Sequence, residues 1–349
     1  MPQTREHLDI LSLLGVNNII VVISKIDLVQ DDEWIDLVEL EIKEILDDNN
    51  FQILGLHRID NLTGSGIQLL KDDIITLAKN HQSQSILPYF RMNIDRVFSK
   101  TGFGTIVTGT IQNGEVKKGD RLEVLPSGLI TKVRGIQTHG GVTSSAGMGD
   151  RAALNLANIK AIDISRGTVI ATPRCLIVTK RIIANILMTK NTKWVIKNKQ
   201  RLRFHFGTAE VFGRVSGKRL EKGKSQNMII DLESSIAIAM DEKFVIRSYS
   251  PMETIAGGLV INPHPKGYWS EIQHQANNLP INITDRFLFI INLEWKHPKS
   301  KEEWQSFFNI SSETLQKILN EENINKAKAG ILFTGDAMKK GQEELKEFF

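Results

Sequence analysis

Two sets of residues in this chain have the type and spacing to do chemistry. The first is Ser24-Lys25-Ile26-Asp27, directly after the apolar run Asn18–Ile23. A carboxylate at Asp27 can accept two hydrogen bonds from a purine that presents a ring N–H beside an exocyclic amine, as guanine does and adenine does not. The stem of Lys25 can lie along such a base. Four letters are a short match, and a solvated loop is the bland alternative. The second set is cationic: Asp95-Arg96, Arg151, and the arginines Arg201, Arg203, Arg214 and Arg247. Fixed arginines in a partly dry cleft attract anions. A surface Asp–Arg pair worth under ~1 kcal/mol is the plain reading of Asp95 and Arg96. Alternating strands also put basic residues on a solvent face without any function.

Equally informative is a missing pattern. The sequence has no G-x-x-x-x-G-K-[ST] and no D-x-x-G. Gly213-Arg214-Val215-Ser216-Gly217-Lys218 has the wrong spacing. Without backbone amides around the phosphates, a lysine, and a hydroxyl on Mg²⁺, phosphoryl transfer has no electrostatic support. His139 and Cys175 read as a solvated loop residue and a packing residue.

The elements that must position these groups fall into blocks. Residues 1–82 alternate helix and strand: helical spacing at Thr4–Leu14, a buried parallel strand at Asn18–Ile23, a helix at Asp31–Asp48 opened by Asp31 and Asp32, a strand at Phe51–Leu56 and a helix at Gly66–Lys79. This β-α-β-α order predicts the C-terminal part of a doubly wound parallel sheet. His81–Ser85 reads as a polar linker. Residues 86–172 read as an antiparallel barrel, with close backbone approach or bending at Gly102, Gly104 and Gly109 and a hairpin at Asn113-Gly114. Residues 173–265 read as a second barrel, with strand-like runs Ile182–Met188, Leu202–Phe206, Ala209–Val215 and Phe244–Ser248, and a tight turn or bulge at Gly257-Gly258. Residues 266–349 contain two short helices, Ser300–Phe308 and Ser311–Glu321, and a strand at Ile331–Thr334, which is similar to a winged helix. The expected fold class is therefore multidomain α/β plus all-β.

Composition bounds the rest. A length of 349 residues allows two to four domains at roughly 100–150 residues each. One cysteine excludes a disulfide framework and fits a reducing cytosol. The runs Ile19–Ile23 and Phe287–Leu293 are too short to span a bilayer. A net charge of +4 mildly favours an anionic partner such as RNA.

The stretch IDRVFSKTGFGTIVTGTIQNGEVKKGDRLEVLPSG, Ile94–Gly128, resembles the second domain of translational GTPases. Its wording, with GDRAALNLA around Arg151, RLRFHFGTAEVFGRV and FVIRSYSPMETIAGGLVINPHP, is similar to the selenocysteine-specific elongation factors of SelB type. The resemblance implies a factor that binds GTP and Mg²⁺, carries selenocysteyl-tRNA to the ribosome and hydrolyses GTP. It implies guanine contacts at Ser24, Lys25 and Asp27, with Ser24 departing from the usual Asn or Thr. The next base contact would be at Asn61 and Leu62, before Thr63-Gly64-Ser65-Gly66. There Asp60-Asn61 stands in place of the family's Ser-Ala, leaving Thr63 as a cap for the following helix. A selenol is more acidic than a thiol, so selenocysteine is an anion at neutral pH. The resemblance assigns Arg96 and Arg151 to the selenolate, and Asp95 to orienting an arginine or meeting the α-amino group. It assigns Arg201, Arg203, Arg214 and Arg247 to the tRNA backbone. It also implies a cytoplasmic monomer that starts inside the family's GTP-binding domain, a truncated factor predicted inactive as a GTPase by itself. The mRNA hairpin is an expected partner of a full-length protein only, because SSETLQKILNEE carries one lysine among its glutamates. The alternatives are a non-catalytic tRNA- or ribosome-binding module, and a relative nearer elongation factor Tu.

Overall fold

The computed structural model describes residues 2–29, 31–80, 87, 89–100, 102, 104–138, 140–321, 324–327 and 330–348. The expected linker His81–Ser85 and His139 lie outside them. The chain divides into two compact units, residues 1–84 and 85–349.

In the first unit the order is α1 (Pro2–Leu13), β1 (Asn18–Ser24), α2 (Asp32–Asp48), β2 (Gln52–Ile59) and α3 (Ile67–Asn80). Asp31 caps α2 by accepting from Glu33 N at 2.9 Å. Acidic Asp32 and Glu33 follow in the first turn, where the helix dipole favours them. Strands β1 and β2 pair in parallel from Asn18↔Gln52 to Ser24↔Ile59. This fits the doubly wound reading, with one correction. Asn18–Ile23 is not buried throughout: Val21 is enclosed, whereas Val22 is 41% exposed. Side chains alternate along a strand. Ile19, Val21 and Ile23 join Leu8, Ile45, Leu46 and Phe51 in the core, while Val22 points the other way.

The second unit opens with β3 (Arg91–Lys100), β4 (Gly104–Asn113), β5 (Glu115–Lys117), β6 (Arg121–Leu125), β7 (Leu129–Thr138), β8 (Gly141–Thr143), β9 (Ser145–Gly147), β10 (Arg151–Leu156) and β11 (Val169–Ala171). Six of these close a ring in the order β10-β4-β3-β11-β6-β7, and β7 returns to β10. The inward residues of the ring, among them Met92, Ile94, Val107, Ile111, Val124, Ile136 and Leu154, are almost wholly buried. The expected hairpin at Asn113-Gly114 is corrected: the chain turns there, yet β5 pairs with β9 and not with β4. The reason is local. The Asn113 amide donates to Tyr89 O at 2.6 Å, and its carbonyl oxygen accepts from Leu87 N. A Cβ on Gly114 would lie 2.4 Å from Tyr89 O. The turn is tied to the chain entering the barrel, which leads β5 away from β4.

A second closed barrel follows: β12 (Ile177–Met188), β13 (Arg201–Phe206), β14 (Ala209–Ser216), β15 (Ser225–Ile238), β16 (Lys243–Arg247) and β17 (Thr254–Asn262), in the order β12-β15-β14-β13-β16-β17. Gly257-Gly258 is neither a turn nor a bulge. Both glycines lie inside β17, and a Cβ on Gly258 would meet the Phe244 ring at 2.2 Å. Glycine there makes room for an aromatic stack: Phe206 and Phe244 centroids are 4.7 Å apart, and Phe204 lies 6.0 Å from Phe244.

The chain ends with α4 (Trp269–Asn278), α5 (Ile283–Leu293), α6 (Lys301–Phe308), α7 (Ser312–Glu321), β18 (Ile324–Lys326), β19 (Leu332–Thr334) and α8 (Gly335–Phe348). Helices α6 and α7, followed by the β18–β19 ladder, have the winged-helix order. Ser300 and Glu303 form a reciprocal capping box on α6, and Asn309 ends it with left-handed φ of 54°. Helices α4 and α5 were not foreseen. Phe287, Ile290 and Ile291 of α5 pack with Trp304 and Phe308, and share that cluster with Ile183, Ile229, Met240 and Ile261 of the second barrel. No described helix is long and apolar enough to cross a membrane.

Candidate functional site

The parallel pairing of β1 and β2 puts the loops after them at one end of the sheet. Ser24, Lys25 and Asp27 are exposed in the first loop, Asn61 and Leu62 in the second. This is where an open parallel sheet binds ligands. Lys25 takes a left-handed conformation, φ 64°, that turns the chain into the 3-10 segment Ile26–Leu28. The second loop is organised by Asp60, 3% exposed. Its carboxylate accepts from Leu62 N at 2.8 Å, Thr63 N at 3.0 Å and the Thr63 hydroxyl at 2.5 Å. The Thr63 hydroxyl and then the Leu62 amide hold Asp60 below the usual carboxylate range. Asp27 also reaches Asp60. The expected cap on α3 is corrected: Thr63 spends its hydroxyl on Asp60 and accepts from Ser65 N at 3.3 Å, within its own loop. A hollow of about 260 Å³ beside Ser24 and Lys25 is walled by Ile23, Ile26, Val29, Trp34, Ile35 and Val38. Asp27, Asn61 and Leu62 do not line it, so it is not a base pocket built from the predicted residues.

Toward a guanine nucleotide, the base side has the exposed carboxylate of Asp27 and the stem of Lys25. The phosphate and Mg²⁺ side has no P-loop in this sequence, so the residues present do not fit that part of the nucleotide.

In the first barrel, Asp95 and Arg151 come together, with Arg96 adjacent to Asp95 in β3. The β3–β4 register runs Ile94↔Gly109 and then Arg96↔Thr108, leaving Asp95 as the extra residue of a bulge. Arg151 stands on β10, on the other side of β4, opposite Thr110. Its Nη2 reaches Asp95 Oδ2 at 2.7 Å. The Thr108 hydroxyl, from β4, donates to Asp95 Oδ1 at 2.7 Å. Gly109 lets the strands close here, since a Cβ on it would lie 2.2 Å from Asn93 O. Partial burial pushes the Asp95 carboxyl up, but Thr108, Arg151 and the charge of neighbouring Arg96 outweigh it and hold it below its ordinary range. Asp95 is therefore an anion held by Thr108 and Arg151, with Arg96 next to it in the chain, and the Arg151 side chain is 58% exposed. Thr108 was not singled out from sequence, and only register reveals it.

In the second barrel, Arg201, Arg203, Arg214 and Arg247 share one outer face. Arg201 stands opposite Arg214, and Arg203 opposite Arg247. Much of this charge is already engaged. Arg201 forms a two-point contact with Glu233 at 2.6 and 2.8 Å, Arg203 pairs with Glu210, and Arg214 donates to Lys199 O. The guanidinium groups of Arg201 and Arg203 also stack on Phe212, at 4.4 and 4.8 Å from its centroid. Beside this face a groove of about 730 Å³ is lined by Lys193, Trp194, Lys197, Lys199 and Arg219. Sequence reasoning passed over it. The signal was the lysine density of KNTKWVIKNK, Lys190–Lys199.

An α/β unit, two closed six-stranded barrels and a helical module with a wing make the architecture of a translation elongation factor. Residues 104–171 match the family model for elongation factor Tu domain 2, and residues 180–267 match that for the β-barrel domain of the selenocysteine-specific elongation factor. Among known proteins, the chain is 33% identical over 266 residues to the selenocysteine-specific elongation factor of Desulfomicrobium baculatum, covering 75% of this chain and 42% of that protein. It is 32% identical over 298 residues to the apicoplast elongation factor Tu of Plasmodium falciparum, covering 74% of this chain and 72% of that protein. Among solved structures, the apo translation elongation factor SelB of Methanococcus maripaludis superposes with a TM-score of 0.66 at 30% identity, covering 74% of this chain and 61% of that one. A bacterial selenocysteine-specific factor, EF-Sec, at 23% identity and a TM-score of 0.70, shares the fold over 96% of this chain and 64% of its own. The chain belongs to the translational elongation factors of the elongation factor Tu family, and within it is similar to the selenocysteine-specific branch. It spans under half the length of the selenocysteine-specific relative from Desulfomicrobium.

Proposed function

We propose that this chain is the tRNA-holding portion of a selenocysteine-specific elongation factor, which brings selenocysteyl-tRNA to the ribosome in a GTP-dependent manner in the cytoplasm. The observation that carries the reading is the Asp95–Arg151 pair across β4, with Arg96 beside it. A selenolate approaching this cluster meets Arg151, whose position is fixed by a carboxylate, and the charge of neighbouring Arg96; a serine hydroxyl carries no charge for them to hold. Lys25 and Asp27 serve the guanine base, with Ser24, Asn61 and Leu62 around it. Arg201, Arg203, Arg214 and Arg247, with the lysines of the adjoining groove, track the tRNA backbone through charge. The test is the affinity of the purified chain for selenocysteyl- against seryl-tRNA. A preference that Arg151→Ala removes supports the reading, and equal binding of both by the unaltered chain overturns it.

A second reading, a tRNA- or ribosome-binding module without nucleotide chemistry, draws on one observation. The Asp60 carboxylate beside Asp27 is committed to Leu62 and Thr63 of its own loop, so it offers nothing further to a base. GDP binding measurable by equilibrium dialysis, and lost in Asp27→Ala, would overturn that reading.

A further inference from the structure

We propose that the Gly207-Thr208 turn of the second barrel is a positioning element for the Asp95–Arg96–Arg151 cluster of the first, so that a residue outside the aminoacyl pocket sets its selectivity. The inference rests on the reading of that cluster given above.

Between β13 and β14 the chain turns through Gly207, φ +53°, and Thr208. The Thr208 hydroxyl donates to Ile94 O at 2.8 Å. Gly167 N donates to the same carbonyl at 3.2 Å, and Ile94 N donates to Thr168 O at 2.9 Å. Both lone pairs of the Ile94 carbonyl are thus taken up from outside the β3–β4 ladder, one of them by the other barrel. The fit has no slack: a Cβ on Gly207 would fall 2.0 Å from Asn93 Nδ2, and one on Gly167 would fall 2.7 Å from Ala209 Cα.

What makes this clasp more than packing is the residue that follows. Asp95 is the bulge residue, skipped by the β3–β4 register. A bulge interrupts the regular ladder, so the peptide leading into it is fixed less by its own sheet than its neighbours are. The direction in which Asp95 leaves Ile94, and hence where it presents Arg151, therefore depends on what holds the Ile94 carbonyl. The turn that holds it is stiff. Phe206, just before it, is 4% exposed and packs against Phe244 with its ring tilted by 35°. The same hairpin carries Arg201 and Arg203 on its outer face and Phe212 beneath them. One rigid hairpin thus joins the charged face proposed for the tRNA backbone to the strand that presents the aminoacyl cluster.

The experiment compares selenocysteyl-, seryl- and uncharged tRNA binding to the unaltered chain, Thr208→Val and Thr208→Ser. Valine keeps the shape of threonine without the donor; serine keeps the donor. Losing one hydrogen bond is worth about a fivefold change in an equilibrium constant. Thr208→Val is expected to lower the preference for selenocysteyl- over seryl-tRNA by about that factor, with uncharged tRNA bound as before and Thr208→Ser restoring the preference. If Thr208→Val does not fold, Thr208→Ala removes the same donor without adding an apolar branch and is read the same way. A full preference in the folded Thr208→Val or Thr208→Ala chain overturns the inference and leaves the pocket reading intact. No preference in the unaltered chain overturns both.

Discussion

Arg151 and Asp95 stand on strands that are not neighbours, and the guanidinium of Arg151 crosses β4 to bring Nη2 within 2.7 Å of Asp95 Oδ2. Because the Arg151 side chain is more than half exposed, the pair contributes little to stability in water and its value lies in fixing charge.

The pH dependence of this pair has a definite sign. Asp95 is held below its ordinary range, so the folded state favours the carboxylate. Its contribution is present above the unfolded value of about 4 and is lost as pH falls through the lower folded value. Urea midpoints followed from pH 6 to pH 2.5 are expected to show a shallower acid loss in Asp95→Asn than in the unaltered chain. An identical acid limb in the two would remove Asp95 from the groups that titrate on unfolding.

A pair between a buried arginine and a half-buried aspartate behaves in the opposite sense. Arg286 of α5 is 1% exposed and donates to Asp241, in the turn between β15 and β16, at 2.5 Å, and to Ile281 O at 2.9 Å. Burial pushes the Asp241 carboxyl up despite the attraction of Arg286, and the same burial pulls Arg286 down. The stability that Asp241 contributes is therefore full below its unfolded value and lost as pH rises through the raised folded one. At neutral pH the pair locates α5 on the barrel at an electrostatic cost. Asp241→Ala, which strands a buried guanidinium, is expected to cost about 3–5 kcal/mol by chemical denaturation. The double change Asp241→Asn with Arg286→Met is expected to recover most of it, asparagine being able to keep the left-handed φ of 59° at this position. A double variant as unstable as Asp241→Ala would refute the account.

On the second barrel the structure separates two kinds of cation. Arg201 and Arg203 are already paired with Glu233 and Glu210, whereas Lys193 and Lys197 line an open groove with Trp194. Each lysine that meets a phosphate releases about one counterion, so Lys193→Ala and Lys197→Ala should each flatten the slope of log affinity against log salt by roughly one. Arg203→Ala should change that slope less. Slopes unaltered by both lysine changes, measured with one uncharged tRNA between low and moderate salt, would place the backbone path elsewhere.

The regular elements that could be read from the chain were those whose period is carried by side chains alone. Helix α2 declares itself by its Asp31 cap and spaced apolar residues, and strand β13 by strict alternation. Strand β15 escaped because its 14 residues include the polar stretch Asp231–Ser235, tolerated where the barrel bends and the β12 register shifts between Thr179 and Arg181. Helix α4 escaped because Ile272, Gln275 and Ala276 are its only buried residues, too few to mark a face. Asn113-Gly114 carries a hairpin signal, but a side-chain amide committed to Tyr89 O and a contact with the entering chain redirect it.

The candidate site divides in the same way. Residue types alone determined that Asp27 can read a base edge, that Arg96 and Arg151 can hold an anion, and that no phosphate cradle of P-loop spacing is written in this chain. Which groups meet is a matter of register and barrel closure. A strand cannot specify by its own composition which residue of a distant strand stands opposite, since pairing is set by the whole ring. So the bulge at Asp95, the hydrogen bond from Thr108 to Asp95, and the reach of Thr208 to the Ile94 carbonyl were decided only when both barrels closed and packed against each other.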